Sequence, residues 1–205
     1  MRPVGVLALQ GDYAEHEAAL QRAGLTTIQI RKPDQLWLSA DSGCRDPAIS
    51  ALVLPGGEST TMLRLLQLEG LWGPLGELLA SGLPVLATCA GLILLASEVT
   101  QPEQESYGLL DMTVQRNGYG RQAHSGTFSI EGSELPAGTT GVFIRAPRIL
   151  RTGPAVEVMA RREGEPVLVR SGPILAACFH PELQPSHWLT ARFAQLATET
   201  NLSSR

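Results

Sequence analysis

Short apolar runs alternate with helical patterns through the first half of the chain. The apolar runs have the length of buried strands and lie at Val4–Leu9, Thr26–Ile30, Ala51–Leu54 and Pro84–Thr88. Helical patterns lie between them, at Tyr13–Arg22, after Glu58 with Ser59 or Thr60 as the expected N-cap, and at Leu75–Ala80. The alternation predicts an α/β fold, a three-layer sandwich in which helices cover both faces of a mostly parallel sheet.

The second half is richer in strands. We expect them at Met112–Arg116, Thr127–Ile130, Gly141–Ile144, Val156–Ala160, Pro166–Arg170 and Ile174–Phe179, followed by a final helix at Ser186–Thr198. The 205 residues contain no repeat, low-complexity tract or linker. We therefore predict a single domain, residues 1–205, built on one mixed sheet.

Cys89 directly follows the strand at Pro84–Thr88 and precedes good helix formers, Ala90–Ala96. A sharp strand-to-helix turn would expose its sulfur as in a nucleophile elbow. The partial positive charge of a helix N-terminus favours the thiolate, and the amide of Ala90 could donate to an oxyanion. The alternative from this local sequence is a buried cysteine that acts as a small hydrophobic residue.

His180 and Glu182 offer the base that such a cysteine needs. An imidazole can accept the thiol proton if a carboxylate holds its other nitrogen, and Pro181 stiffens the short segment between the two residues. The alternative is a structural histidine after an apolar strand. The carboxylate two residues on, together with Cys89 upstream, favours catalysis.

Polar or glycine residues follow several predicted strand ends, at Gln10, Gly57, Cys89 and His180. Reactive groups gather at the carboxyl ends of strands in open α/β sheets. Gly56–Gly57 lacks the spacing of phosphate-binding or dinucleotide-binding loops. We expect the Gly57 amide to be the second oxyanion donor, unless the two glycines merely form a turn.

Composition excludes several other classes of function. A net charge of −4, with 43% hydrophobic residues, leaves no basic stripe for nucleic acid. No apolar run is long enough for a membrane span, and the N-terminus has no signal-peptide layout, so we expect a cytoplasmic protein. Cys44, Cys89 and Cys178 lack metal-ligand spacing, and we predict no metal and no cofactor. Cys178 is expected in the core and Cys44 in a surface loop.

With these residues assembled, the chain resembles the class I glutamine amidotransferases, and among them the glutaminase subunits of pyridoxal 5′-phosphate synthase. The resemblance spans almost the whole chain. The matching segments are Gly5–Gly11 with Glu15–His16, Leu54–Thr61, Thr88–Leu92, Arg116–Asn117 with Gly120–Gln122, Val142–Pro147 and Phe179–Leu183.

The resemblance implies a flavodoxin-like fold and a hydrolytic Cys-His-Glu triad. Cys89 would form a glutamyl thioester, His180 would act as acid and base, and Glu182 would orient the imidazole. The residues implied in glutamine binding are Gly57, Glu58, Ser59, Arg116, Ile144 and Arg145. The expected partner is a (β/α)8-barrel synthase subunit that receives the ammonia and makes pyridoxal 5′-phosphate.

The chain departs from the family pattern in two places. Ala87 stands where the family commonly has glycine, two residues before the cysteine, and the segment Trp37–Pro47 is longer than usual. His16 matches a position near the family's partner-facing first helix, or is an ordinary exposed helical histidine. Two alternatives to an ammonia-supplying glutaminase remain at this stage: a non-catalytic regulatory subunit, and a glutaminase or related cysteine hydrolase that serves another pathway.

Overall fold

Strands supply most of the regular structure. A computed structural model describes residues 2–38, 46–118 and 125–203. The strands in chain order are β1 (Val4–Leu7), β2 (Thr27–Ile30), β3 (Ala51–Leu54), β4 (Val85–Thr88), β5 (Ala96–Thr100), β6 (Leu110–Gln115), β7 (Gly126–Ser129), β8 (Thr140–Phe143), β9 (Arg148–Thr152), β10 (Glu157–Arg162), β11 (Glu165–Ser171) and β12 (Ile174–Ala177). The helices are α1 (Tyr13–Arg22), α2 (Ser59–Leu68), α3 (Trp72–Ala80), α4 (Ala90–Leu95) and α5 (Trp188–Ser203).

A sheet of seven strands forms the middle layer, in the order β10-β11-β12-β4-β3-β1-β2. The strands from β12 to β2 pair in parallel, whereas β11 and β10 join through antiparallel pairings at one edge. The predicted mostly parallel α/β sheet is confirmed.

Helices cover both faces of this sheet. The connections β1-α1-β2 and β3-α2-α3-β4 step across the sheet in opposite directions, so right-handed crossovers place their helices on opposite faces. Accordingly, α1 contacts α5, whereas α2 contacts α3 and α4. All residues of β1, β3, β4 and β12 are buried, which explains why these strands are continuous apolar runs.

Two strands were not predicted, and each belongs to a second sheet of order β5-β6-β9. The predicted helix through Ala96 ends at Leu95, and β5 begins at the next residue. This strand was missed because it directly follows a run of good helix formers. The basic residues of β9 concealed a strand in which Ile149 is buried and Leu150 is exposed. The predicted mixed sheet is the seven-stranded one, but the prediction did not separate β6 from it, nor β7 and β8, which form a pair of their own.

The expectations for the remaining cysteines and for the long segment have different outcomes. Cys178 lies in the core, where burial raises the pKa of its thiol, as predicted. Cys44, most of the Trp37–Pro47 segment and residues 120–122 lie outside the described residues; the described ends of the segment pair through Trp37 and Pro47. Across the described ranges, no helix combines the length and apolar character that a membrane span requires.

A glycine substitution tests the packing of α4 on β3. Gly91→Ala is expected to destabilise the protein by about 1–3 kcal/mol, because the added Cβ would lie 2.2 Å from the carbonyl oxygen of Leu54. Gly73→Ala in α3 is the matched control: nothing lies within 4 Å of its Cβ, and alanine is favoured over glycine in a helix by about 0.5–1 kcal/mol. Urea denaturation measures both variants, and equal stabilities would contradict the close contact.

Candidate active site

Cys89 lies at the turn between β4 and α4, with the unusual backbone angles φ 48° and ψ −99°. A positive φ is uncommon for a residue with a Cβ. Two contacts hold the turn: the Cys89 amide donates to the Ala177 carbonyl at 2.9 Å, and Gly91 packs against the Leu54 backbone. The sharp strand-to-helix turn expected from the sequence is present.

Ala87 does not disturb this turn. It lies inside β4, paired with Leu54 on one side and Ala176 on the other, and its methyl group is fully buried. The methyl that replaces the family's usual glycine is therefore part of the core.

His180 and Glu182 form a buried pair at the end of β12. The His180 Nδ1 lies 2.7 Å from the Glu182 Oε1, and neither side chain is more than 3% exposed. The His180 amide also donates to the Val142 carbonyl at 2.8 Å, which fixes the start of the short 3-10 helix Pro181–Leu183. The two side chains point the same way, as the stiff His-Pro-Glu segment predicted.

A second carboxylate, Asp12, approaches the same imidazole nitrogen. Its Oδ2 lies 3.3 Å from the His180 Nδ1. Asp12 follows the carboxyl end of β1 and was missed, although its position after a strand end was the available signal. The hydrogen bond with His180 lowers the pKa of Asp12, against the opposing effect of burial.

The neighbours of His180 make its imidazole a stronger base. Burial alone would lower the pKa of His180, but hydrogen bonds with Asp12, Cys89 and Glu182 outweigh it and raise the pKa well above its ordinary value of 6.5. The Cys89 thiol and the His180 imidazole line the same cavity. A basic imidazole is suited to accept the proton of a neighbouring thiol.

A cavity of about 250 Å³ opens above Cys89. Its lining residues are Asp12, Gly57, Glu58, Ser59, Cys89, Ile93, Arg116, Asn117, Ile144, Arg145 and His180. Every predicted site residue thus lines the cavity except Ala90 and Glu182, which are buried beside it.

Glu58 forms the rim of the cavity at the start of α2. It is the N-cap, in place of the predicted Ser59 or Thr60: its carboxylate accepts from the Thr61 amide at 2.9 Å and from the Thr60 hydroxyl. Glu58 Oε1 also pairs with Arg116 Nη2 at 2.8 Å. Two predicted substrate-binding residues are therefore already joined in an ion pair.

Ser59, a third predicted substrate-binding residue, is not the cap of α2. Its hydroxyl donates to Gln104 at 2.8 Å.

Gly57 requires the absence of a side chain. Its φ is +141°, and an added Cβ would lie 2.3 Å from the Gln10 side-chain amide. The Gln10 side chain also binds the main chain of Glu58: it donates to the Glu58 carbonyl and accepts from the Glu58 N–H, each at 3.3 Å. The oxyanion roles of Gly57 and Ala90 remain predictions.

His16 completes the buried polar group. Its side chain is 2% exposed, so the alternative of an ordinary exposed helical histidine is wrong. The His16 Nε2 lies 3.3 Å from Glu182 Oε2 and 3.0 Å from the Thr88 hydroxyl. Its place on α1, far along the chain from Glu182, concealed this contact from sequence patterns.

The same residues define what the site can hold. Among the described residues, Asp12, His180 and Glu182 place possible metal-ligand atoms within 4.8 Å of one another. These atoms are engaged with each other through the His180 Nδ1. The arrangement is that of an imidazole held at one nitrogen by carboxylates, in the same cavity as a thiol.

An elbow thiol, a buried His-carboxylate pair and a polar cavity lie together on a mostly parallel α/β sheet, the arrangement that the resemblance to the glutamine amidotransferases implied. The family model described as the SNO glutamine amidotransferase family matches residues 6–199, and the chain belongs to this family. The resemblance stated from the sequence is confirmed.

Relatives and solved structures agree with this membership. The chain is 47% identical over 184 residues to the pyridoxal 5′-phosphate synthase subunit PdxT of Thermotoga neapolitana, covering 88% of this chain and 91% of that protein. It is 46% identical over 201 residues to the protein of the same name from Acidothermus cellulolyticus, covering 94% and 92%.

Two solved structures show the fold. A crystal structure of a glutamine amidotransferase has a TM-score of 0.84 and 43% identity, covering 95% of this chain and 98% of that one. A chain of the PurLQS structure from Thermotoga maritima has a TM-score of 0.62 at 15% identity, covering 100% and 99%, and shows the fold alone.

The cap at Glu58 makes a pH-dependent prediction. Glu58→Ala should lower the free energy of unfolding by about 1 kcal/mol at pH 7, because α2 loses its N-cap. Hydrogen bonds from Thr60 and Thr61 and the charge of Arg116 outweigh burial and lower the Glu58 pKa below 4.5. This stabilisation is present above pH 4.5 and is lost as the pH falls through the lower folded value. Urea denaturation of both proteins over decreasing pH should show the difference shrinking; a constant difference would contradict it.

Proposed function

We propose that this protein hydrolyses L-glutamine to L-glutamate and ammonia, and supplies the ammonia to the (β/α)8-barrel subunit of a pyridoxal 5′-phosphate synthase. The observation that carries the proposal is that Cys89 and His180 line one polar cavity, while Glu182 holds the far nitrogen of the His180 imidazole. The family and the names of its relatives favour glutamine as substrate and this synthase as partner.

The first half of the reaction forms a thioester. The Cys89 sulfur attacks the side-chain amide carbon of glutamine while the thiol proton passes to His180. The amides of Gly57 and Ala90 stabilise the oxyanion, as donors aimed at developing charge do. When the C–N bond breaks, His180 returns the proton to the nitrogen, and ammonia leaves.

The second half releases glutamate. A water molecule attacks the thioester carbon and gives its proton to His180, and the C–S bond then breaks as the proton returns to sulfur. Glu182 keeps the imidazole oriented throughout, because its carboxylate lies 2.7 Å from Nδ1. Cys89, His180 and Glu182 thus act as nucleophile, acid–base and orienting group, and we propose no cofactor.

The charged residues around the cavity suit the ends of a glutamine molecule. We assign the α-carboxylate to Arg145 and the α-amine to Glu58, whose carboxylate Arg116 holds in place. Ser59 and Ile144 line the space between. A side chain that carries a free amide then reaches Cys89.

Direct transfer of ammonia follows from its chemistry. Protonation in bulk water removes the lone pair that makes ammonia a nucleophile. We therefore propose a complex in which the product passes straight to the synthase, with this chain acting as a single glutaminase domain in the cytoplasm.

Removal of the thiol or the base tests the reaction. Cys89→Ala and His180→Asn should abolish glutamate release, to below about 1% of wild type, without changing the unfolding temperature greatly. The assay measures glutamate from glutamine, with and without a pyridoxal 5′-phosphate synthase barrel subunit, and mixing should enhance the rate. Cys178→Ala, in the core, is the control that should keep turnover. Normal turnover in Cys89→Ala would remove the assignment.

Two alternatives are separated by the same complex. Synthase activity that persists in Cys89→Ser with glutamine as the only nitrogen source would indicate a regulatory subunit without catalysis. Rate enhancement by a different synthase, and none by the barrel subunit, would indicate a glutaminase of another pathway.

The glutamine contacts make a separate kinetic prediction. Arg145→Ala should raise the KM for glutamine by about 10-fold or more and change kcat less, because it removes a charged contact to a part of the substrate that does not react. Steady-state kinetics with glutamine measures the two constants. The paired control, Arg148→Ala, removes an arginine bound to Glu165 outside the cavity and should leave KM unchanged. An unaltered KM in Arg145→Ala would overturn the assignment.

A further inference from the structure

The two oxygens of Glu182 have different environments. Oε1 faces the His180 Nδ1 at 2.7 Å, whereas Oε2 is buried and, among the described residues, makes no hydrogen bond of good geometry. The His16 Nε2 lies 3.3 Å from this Oε2. A buried carboxylate oxygen is costly unless a donor faces it, so this contact matters for the charge that holds His180.

The carboxylate determines which nitrogen of His16 carries a proton. Nε2 faces two oxygens, Glu182 Oε2 at 3.3 Å and the Thr88 hydroxyl at 3.0 Å. If Nε2 accepted a proton from Thr88, its lone pair would face a carboxylate, which is repulsive. With a proton on Nε2, the ring donates toward Glu182, and the Thr88 hydroxyl can accept as well.

The surroundings of His16 favour a neutral imidazole. Burial lowers its pKa, and this effect together with the nearby His180 exceeds the opposing influence of Glu182, Asp12 and Glu15. An uncharged imidazole leaves the negative charge of Glu182 available to His180. A buried cation at position 16 would neutralise that charge.

We propose that His16 is a positioning residue of the glutaminase site, whose Nε2–H donates to Glu182 Oε2 and fixes the carboxylate that orients His180. The inference rests on the proposed function. It adds to Cys89, His180 and Glu182 a fourth residue, which acts only through Glu182.

Asp12 explains why such fixing is needed. Its carboxylate lies 3.3 Å from the same His180 nitrogen that Glu182 approaches to 2.7 Å. A Glu182 carboxylate free to rotate would yield Nδ1 to Asp12, which lines the substrate cavity. The orientation of the imidazole would then depend on a carboxylate that is partly exposed. By fixing the Glu182 carboxylate, His16 keeps Glu182, and not Asp12, as the main partner of the His180 Nδ1.

Two variants at position 16 test the proposal. His16→Leu removes the donor and should lower kcat about 10- to 100-fold with KM for glutamine within about twofold of wild type. His16→Gln, whose amide N–H replaces Nε2–H, should recover most of kcat.

Controls separate this role from packing. His187→Leu removes another buried histidine, one that binds the Thr140 carbonyl, and should lower stability with little change in kcat. A wild-type kcat in His16→Leu would overturn the inference, and so would equal losses of kcat in the Leu and Gln variants. A wild-type protein without glutaminase activity would instead reject the proposed function.

The protonated nitrogen of His16 can also be identified in the wild-type protein, without measuring the activity of any variant. Nitrogen-15 NMR of its four histidines should show His16 as the neutral tautomer with hydrogen on Nε2, with the signal assigned by its loss in His16→Gln. Hydrogen on Nδ1, with Nε2 accepting from Thr88, would overturn the inference even if His16→Leu failed to fold.

Discussion

The turn at Cys89 is the constraint on which the rest of the site depends. A residue with φ 48° and ψ −99° persists only where its surroundings hold it, and here the Ala177 carbonyl and the close packing of Gly91 on Leu54 do so. Both contacts come from strands adjacent to β4 in the sheet. The parallel sheet thus fixes the sulfur's position before any substrate contact is made.

A buried chain of polar groups stands behind the sulfur, running from Cys89 through His180 and Glu182 to His16 and Thr88. These side chains come from strand ends, from a 3-10 helix and from α1, so that only the folded chain assembles them. Burial makes each contact strong, and it also makes each unpaired atom costly. The same low dielectric that strengthens the hydrogen bond between His180 and Glu182 therefore demands a partner for the far oxygen of Glu182.

Local patterns predicted the parts of the site that lie close together in sequence. Cys89 was predicted from a strand followed by small residues, and Glu182 from its spacing to His180. Both patterns are visible because the residues that form a turn are close together in the sequence. His16 and Asp12 were not understood, since their partners come from the opposite end of the chain. The strand β5 was missed because it directly continues a helical run, and the cap at Glu58 because a glutamate was not expected there. The catalytic roles, as opposed to the placement, remain proposals.

Covalent trapping tests the central claim most directly, namely that Cys89 is a nucleophile facing a glutamine-shaped cavity. The protein would be incubated with a glutamine analogue that carries an electrophilic carbon in place of the side-chain amide, and its intact mass and peptides measured. One added group per chain, on Cys89 alone and suppressed by excess glutamine, is the predicted result. Modification confined to Cys44 or Cys178, or none at all while the protein is folded, would contradict the account.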